Sequence, residues 1–244
     1  MTFSIQELAK IYQLNPRSIC HIGAHRAEEL SDYQKHFNCR VDWFEANPDL
    51  FKEIEKLSDS KNFFHQAILW SEPGLRKKFI VANNSQSSSL FKMSKHSEIY
   101  PEIFPIKEFF CTTTVLEEYI EHVPDFLSVD TQGAELEILK GISRINQVSW
   151  ILCEVNVDEL YVDNPLLSDI DSYLNQFGFE RIASRIHVNG SWGDALYANK
   201  TIISYSILRF LIFKILDLKW IVNQFSYNLK LKLRKKLSTK ALSI

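Results

Sequence analysis

From Arg17 to about residue 200 the chain repeats one alternation: a short apolar run, a turn, an amphipathic stretch of helical length, and another apolar run. Parallel strands cannot be joined by a tight hairpin; they need a crossover of a dozen or more residues, usually a helix. The alternation therefore commits the chain to consecutive βαβ units around a mostly parallel sheet. RSICHI, RVDWFE, NFFHQAIL, DFLSVD and VSWILCEV are the expected strands. Helices are expected over 27–37, from Asn47-Pro48, over 134–139 ending near Gly141, and over 165–177. The stretch from Trp70 to Pro105 breaks the rhythm with Pro73-Gly74, the apolar piece KKFIVA and the polar cluster NNSQSSS, and is read as an inserted hairpin plus a loop. FERIASRIH and ALYANK, joined by a turn at Gly190 to Gly193, close the sheet as an antiparallel hairpin. The expected fold class is α/β, a doubly wound and mostly parallel sheet with a C-terminal antiparallel hairpin and a helical tail.

With 244 residues, 45% of them hydrophobic and 24% charged, the chain matches a globular protein with one main domain, which excludes both disorder and a membrane-spanning bundle. Cys20, Cys39, Cys111 and Cys153 are too far apart for a metal or redox motif and are read as reduced thiols. MTFSIQELAKIYQLNP lacks the apolar core of a signal peptide, so a cytoplasmic location is expected. The net charge of −2 conceals an asymmetry: from Thr201 onward nine Lys and Arg face Asp217 alone, a tail of +8 that leaves −10 on residues 1–200. Two parts follow, an acidic domain over 1–200 and a basic amphipathic tail over 201–244. An acidic body repels a nucleic-acid backbone, so no nucleic-acid partner is expected. The apolar stretch Ile207 to Phe225 is interrupted by Arg209, Lys214, Asp217 and Lys219 and cannot cross a bilayer. It fits an interfacial helix at an anionic membrane face or, equally, a helix packed on a second subunit.

Ligands of an open α/β sheet bind outside the carboxyl ends of its strands, and here those ends are polar. The first ends in His21-Ile22-Gly23-Ala24-His25, where small residues allow close backbone approach and a helix start offers N–H donors; an ordinary tight turn is the alternative. The second ends in Glu45-Ala46-Asn47-Pro48, with a carboxylate where a ribose diol lies in nucleotide-binding folds, or else a partner for the dipole of the following helix. No G-K-[ST] and no triple-glycine fingerprint is present, so a nucleotide-like ligand without phosphates fits better than a phosphate-bearing one. The fourth ends in Asp130-Thr131-Gln132-Gly133, with Asp130 and Gln132 as candidate catalytic residues beside the first-strand loop. Glu154 at the fifth strand end and Tyr161 beyond it are candidates for holding an acceptor, Glu154 having a structural role as its alternative. His21, His25 and His65 do not share a helix face, and no metal is expected.

HIGAHRAEE, WFEANP, NNSQSSSL, DFLSVDTQGAELEILKG, EVNVDELY and WGDALYANK together, in content and order, resemble the FkbM-like methyltransferases over about residues 15–200. The resemblance implies a Rossmann-like fold of the class I methyltransferase type and S-adenosylmethionine (SAM) as cofactor. It implies that Gly23 and Ala24 form the SAM loop, flanked by His21 and His25, and that Glu45 holds the ribose hydroxyls with Asn47 close by. Asp130 and Gln132 would lie at the methionine end. The acidic residue often found at the end of the first strand in SAM enzymes is His21 here. Family members commonly methylate oxygen on sugars or secondary metabolites, so the expected partner is a small-molecule or glycan acceptor. A nicotinamide-dependent oxidoreductase and an inactive SAM-binding relative are the competing readings. The loop from Asn83 to Pro105 is expected to choose the acceptor, and carries no readable code.

Overall fold

A computed structural model describes residues 1–187, 191–206, 208–209 and 211–222. Seven strands form one sheet: β1 (Ser18–Ile22), β2 (Arg40–Glu45), β3 (Asn62–Gln66), β6 (Phe126–Val129), β7 (Trp150–Asn156), β8 (Phe179–Ile186) and β9 (Trp192–Asn199). Their order is β3-β2-β1-β6-β7-β9-β8, parallel except for β9, which lies antiparallel between β7 and β8. The doubly wound class and the closing hairpin expected from the sequence are both present; part of the hairpin turn, including Gly190, lies outside the described residues. The chain runs outward from β1 to β3 and then returns to β6 on the other side of β1. The reversal of strand order therefore falls between β1 and β6, where a crevice opens at the carboxyl ends.

Residues of β7 are buried throughout, which explains their unbroken apolar run. One face of the sheet packs on α5 (Glu135–Lys140) and α6 (Leu167–Asn175) through Ile138, Leu139, Ile170 and Leu174. The other packs on α1 (Ile5–Lys10) and α2 (Leu30–His36) through Ile5, Leu8 and Tyr33. Trp43 in the second core is sandwiched between His21 and Phe64, at 4.8 and 5.8 Å between ring centroids. A last helix, described at 208–209 and 211–222, reaches the same core with Phe213, whose ring lies 4.9 Å from that of Tyr12.

Two elements depart from the sequence expectation. Helix α2 begins at Leu30 rather than Ala27, because His25 and Ala27 both adopt positive φ, at 47° and 55°, and helical backbone cannot start through them. The insertion between β3 and β6 holds a longer ribbon than KKFIVA alone: β4 (Arg76–Ala82) pairs antiparallel with β5 (Pro105–Thr112). Between these strands lies a lobe containing α4 (Lys95–Ile99), closed at its base by Asn83, whose amide and backbone bond to Glu102 and Phe104.

Candidate active site

The strand ends of β1, β2, β6 and β7 share one cavity of about 460 Å³, within the size range of small-molecule sites. Gly23 sets its floor. At φ +92° it lets β1 turn so tightly against β6 that a Cβ there would lie 1.8 Å from the Asp130 carbonyl oxygen. That approach, with Asp130 N–H donating to the Ile22 carbonyl at 2.9 Å, brings the His21–His25 loop against Asp130.

The loop's donors are not free, contrary to the sequence expectation. The N–H groups of Gly23 and Ala24 both donate to the Phe44 carbonyl, each at 2.9 Å, and that of His25 to Glu45 Oε2 at 2.8 Å. With α2 starting only at Leu30, no helix N-terminus points into the cavity from this loop. Glu45 accepts a second backbone bond from Asn47 at 2.7 Å, so its carboxylate is fixed at the end of β2 while each oxygen retains lone-pair capacity. Burial pushes its carboxyl up to about 7. Asn47 does something else: its Oδ1 caps α3 (Pro48–Ile54) by accepting from Asp49 N–H, and its side chain is not part of the cavity wall.

His21 is buried beneath the cavity, with Nδ1 3.1 Å from the Tyr33 hydroxyl, and burial holds its imidazole down at about 4, hence neutral. His25 faces outward and bridges two regions, with Glu28 at 2.7 Å on one nitrogen and the Ser85 hydroxyl of the lobe at 2.8 Å on the other.

Gln132 is the hub of the next group. At φ 56° it turns its amide back over the sheet: Nε2 donates to Asp130 Oδ1 (3.1 Å) and to both oxygens of Glu154 (3.0 and 2.8 Å), and Oε1 accepts from the Tyr161 hydroxyl (2.8 Å). The sequence candidates Asp130, Gln132, Glu154 and Tyr161 thus form one network. Glu154 stands opposite Asp194 in the β7–β9 ladder. Burial and these neighbouring carboxylates drive Glu154 well above the usual carboxylate range, and burial raises Asp194. Glu135, the first residue of α5, folds back to accept from Thr131 and Gly133 N–H and so fixes the turn that carries Gln132.

Glu28, Glu29, Glu45, Asp130 and Glu154 line the cavity, and among the described residues no Lys or Arg does. Burial holds two of these carboxyls, Glu45 and Glu154, above the usual range, and the Met1 ammonium lies among Asp130, Glu29 and Glu154. A wall in which carboxyls so outnumber cations is poor at holding a phosphate and gains from a positively charged ligand, which favours their ionised forms. The half of the cavity beyond Gln132 is aromatic and, Tyr161 apart, was missed in the sequence. It is built from His96 on α4 and Tyr100 at its C-cap, Tyr161, and Trp192 stacked on His187 at 4.8 Å and 7°. Trp192 donates through Nε1 to the Tyr100 hydroxyl at 3.2 Å. These rings come from three separate segments, and no local sequence pattern joins them.

The family model described as the methyltransferase FkbM domain matches residues 21–181. No curated protein matches the chain. Among solved structures, a putative hemolysin from Streptococcus thermophilus is similar at 10% identity with a TM-score of 0.53, covering 93% of this chain and 74% of its own. A protein in the NADB-Rossmann superfamily from Streptococcus agalactiae is similar at 12% identity and a TM-score of 0.47, over 82% and 68% of the two chains. Magnesium protoporphyrin IX methyltransferase from Synechocystis PCC 6803, solved with bound SAM, aligns at 9% identity and 0.47, over 80% and 76%. At these identities the likeness is one of fold.

Proposed function

The chain belongs to the FkbM methyltransferase family, and from that premise we propose that it uses SAM to methylate a hydroxyl oxygen of a sugar or of a similarly polyhydroxylated acceptor. The observation that carries the reading is the division of one cavity into an acidic half with no Lys or Arg among the described residues and an aromatic half with hydroxyl and imidazole groups. The acidic half fits SAM on three counts. Glu45 offers a fixed carboxylate to a ribose diol; Asp130 and its neighbours compensate an ammonium group and a sulfonium; and among the described residues the wall offers no Lys or Arg to the pyrophosphate of a nicotinamide dinucleotide. When bound, SAM supplies an already activated methyl group.

The chain's own residues then have a positional task. Flat rings such as Trp192 and Tyr100 hold the C–H face of a sugar while polar groups around them fix its hydroxyls. Tyr161, held through Gln132, orients the acceptor against the cofactor half, and alignment of two bound reactants accounts for most of the barrier reduction in such a transfer. Asp130 accepts the hydroxyl proton as the oxygen–carbon bond forms. The lobe roofs both halves, since Ser85 touches His25 and the Ser89 hydroxyl donates to the Gln132 carbonyl at 2.6 Å, and it keeps water from the reacting atoms.

Calorimetric titration with SAM and with NAD tests the cofactor. Micromolar SAM binding, weakened at least about tenfold by Glu45→Ala, supports the reading; NAD binding without SAM binding overturns it in favour of an oxidoreductase. A panel of sugar acceptors assayed by release of S-adenosylhomocysteine tests the acceptor. SAM binding without release on any sugar points to a different acceptor or to an inactive relative. Asp130→Asn that loses turnover at saturating SAM, beyond what its weakened SAM binding accounts for, supports its role with the acceptor.

A further inference from the structure

The last helix has two faces of opposite character. Phe213 is fully buried against Tyr12 and Tyr205, and Asp217, the tail's one acid, is turned inward to accept the Ser184 backbone N–H. Away from the body, Leu208, Leu211, Ile212, Ile215, Leu218 and Val222 recur at helical spacing and are each 45% to 70% exposed. This is a continuous aliphatic stripe on solvent, of the kind a globular protein keeps only where something covers it. Arg209 and Lys219 accompany the stripe, Lys214 donates back to the Arg181 carbonyl at 3.4 Å, and six more Lys and Arg, with no acid, follow in residues 223–244.

We propose that this helix lies in the surface of an anionic lipid membrane, stripe inward, with the chain's catalytic body held above it. Charge selects this occupant over a second copy of the chain. Two such helices face to face would set Arg209 and Lys219 against their equals, with Asp217 turned away inside each body. Anionic headgroups complement the same residues, and long basic side chains reach headgroup level while their stems lie along apolar neighbours. The −10 of residues 1–200 is repelled by that surface, so the protein is oriented by its own charge distribution. No described helix is long and apolar enough to cross the membrane, so the contact is interfacial.

The test is co-sedimentation of the full chain with phosphatidylcholine vesicles and with vesicles containing about 30% phosphatidylglycerol. Binding to the anionic vesicles, weakened by salt and reduced about tenfold or more by Leu211→Glu/Ile215→Glu and by Arg209→Glu/Lys219→Glu, supports the proposal. Leu211, Ile215 and Lys219 are exposed and Arg209 is half-buried, and unchanged thermal unfolding confirms that the helix remains docked. Absence of binding overturns the proposal, as does binding that neither variant weakens. Concentration-dependent dimers abolished by Leu211→Glu/Ile215→Glu, without vesicle binding, would assign the stripe to a second copy instead.

Discussion

A methyl group at Gly23 has nowhere to go. The Asp130 carbonyl occupies its place at 1.8 Å and φ is +92°, so Gly23→Ala must separate β1 from β6 or twist the loop. We expect a loss of more than about 4 kcal/mol, seen as a large drop in melting temperature together with loss of SAM binding. Glu45 makes a subtler prediction. Its folded pKa of about 7 exceeds the unfolded value of 4.5, so the folded state binds the extra proton between these limits. Its contribution to stability is present at low pH and is lost as pH rises through that window, by at most about 3 kcal/mol. A cationic cofactor favours the ionised carboxylate, so SAM affinity should rise by up to about tenfold per pH unit from pH 5.5 to 7. Calorimetry in buffers of different ionisation heat should show proton release on binding. That Glu45, Asp130 and Gln132 line the cavity was legible because polar residues ending apolar runs have few structural reasons to be there, and Gly23 because a glycine at a strand end marks a close backbone approach. Asn47 was not, since a helix cap and a ligand contact call for the same short polar side chain. The free donors expected of the loop fell to a cause no sequence prints, the Phe44 carbonyl accepting two of them.

At the scale of elements, α1 went unread although Ser4 and Glu7 form a capping box that announces a helix start. Its six residues are too few for periodicity to register. Tertiary contact sustains it: Arg185 of β8, itself 7% exposed, pairs with Glu7 at 2.9 Å and lies over the Phe3 ring. The Arg185 hydrogen bond is the largest cause lowering the Glu7 carboxyl, from 4.5 to about 2, against an opposing contribution from burial. A depressed acid stabilises above its unfolded pKa and ceases to as pH falls through the folded one. Glu7→Gln should therefore cost about 1–2 kcal/mol at neutral pH, discounted for the partial exposure of Glu7. Denaturation profiles of the variant should also be flatter than wild type between pH 4.5 and 2. The insertion was anticipated as a hairpin plus a loop, but the second strand of that hairpin was not located. Ile106, Glu108 and Phe110 of β5 all face solvent, so the strand lacks the alternating pattern that a half-buried element shows.

Across the whole molecule, the tail and the body, read from charge as separate parts, are joined through a shared core. Phe213 fills a space bounded by Tyr12 and Tyr205, and Phe213→Ala should destabilise the entire protein by about 3–5 kcal/mol, measurable as one cooperative shift in denaturant unfolding. The order of strands was readable as fold class because βαβ crossovers leave so few arrangements open. The placement of the aromatic half of the cavity was not, since it depends on how a loop of some twenty residues folds over the crevice. That loop leaves the sheet and re-enters it beside a single asparagine, Asn83, which joins its two ends. A segment whose two ends meet at one residue can be lengthened, shortened or exchanged between related chains while the strands beneath it keep their register. Descent within such a lineage would then vary the acceptor as an interchangeable cassette and leave the cofactor half, built from the strand ends themselves, as the inherited part.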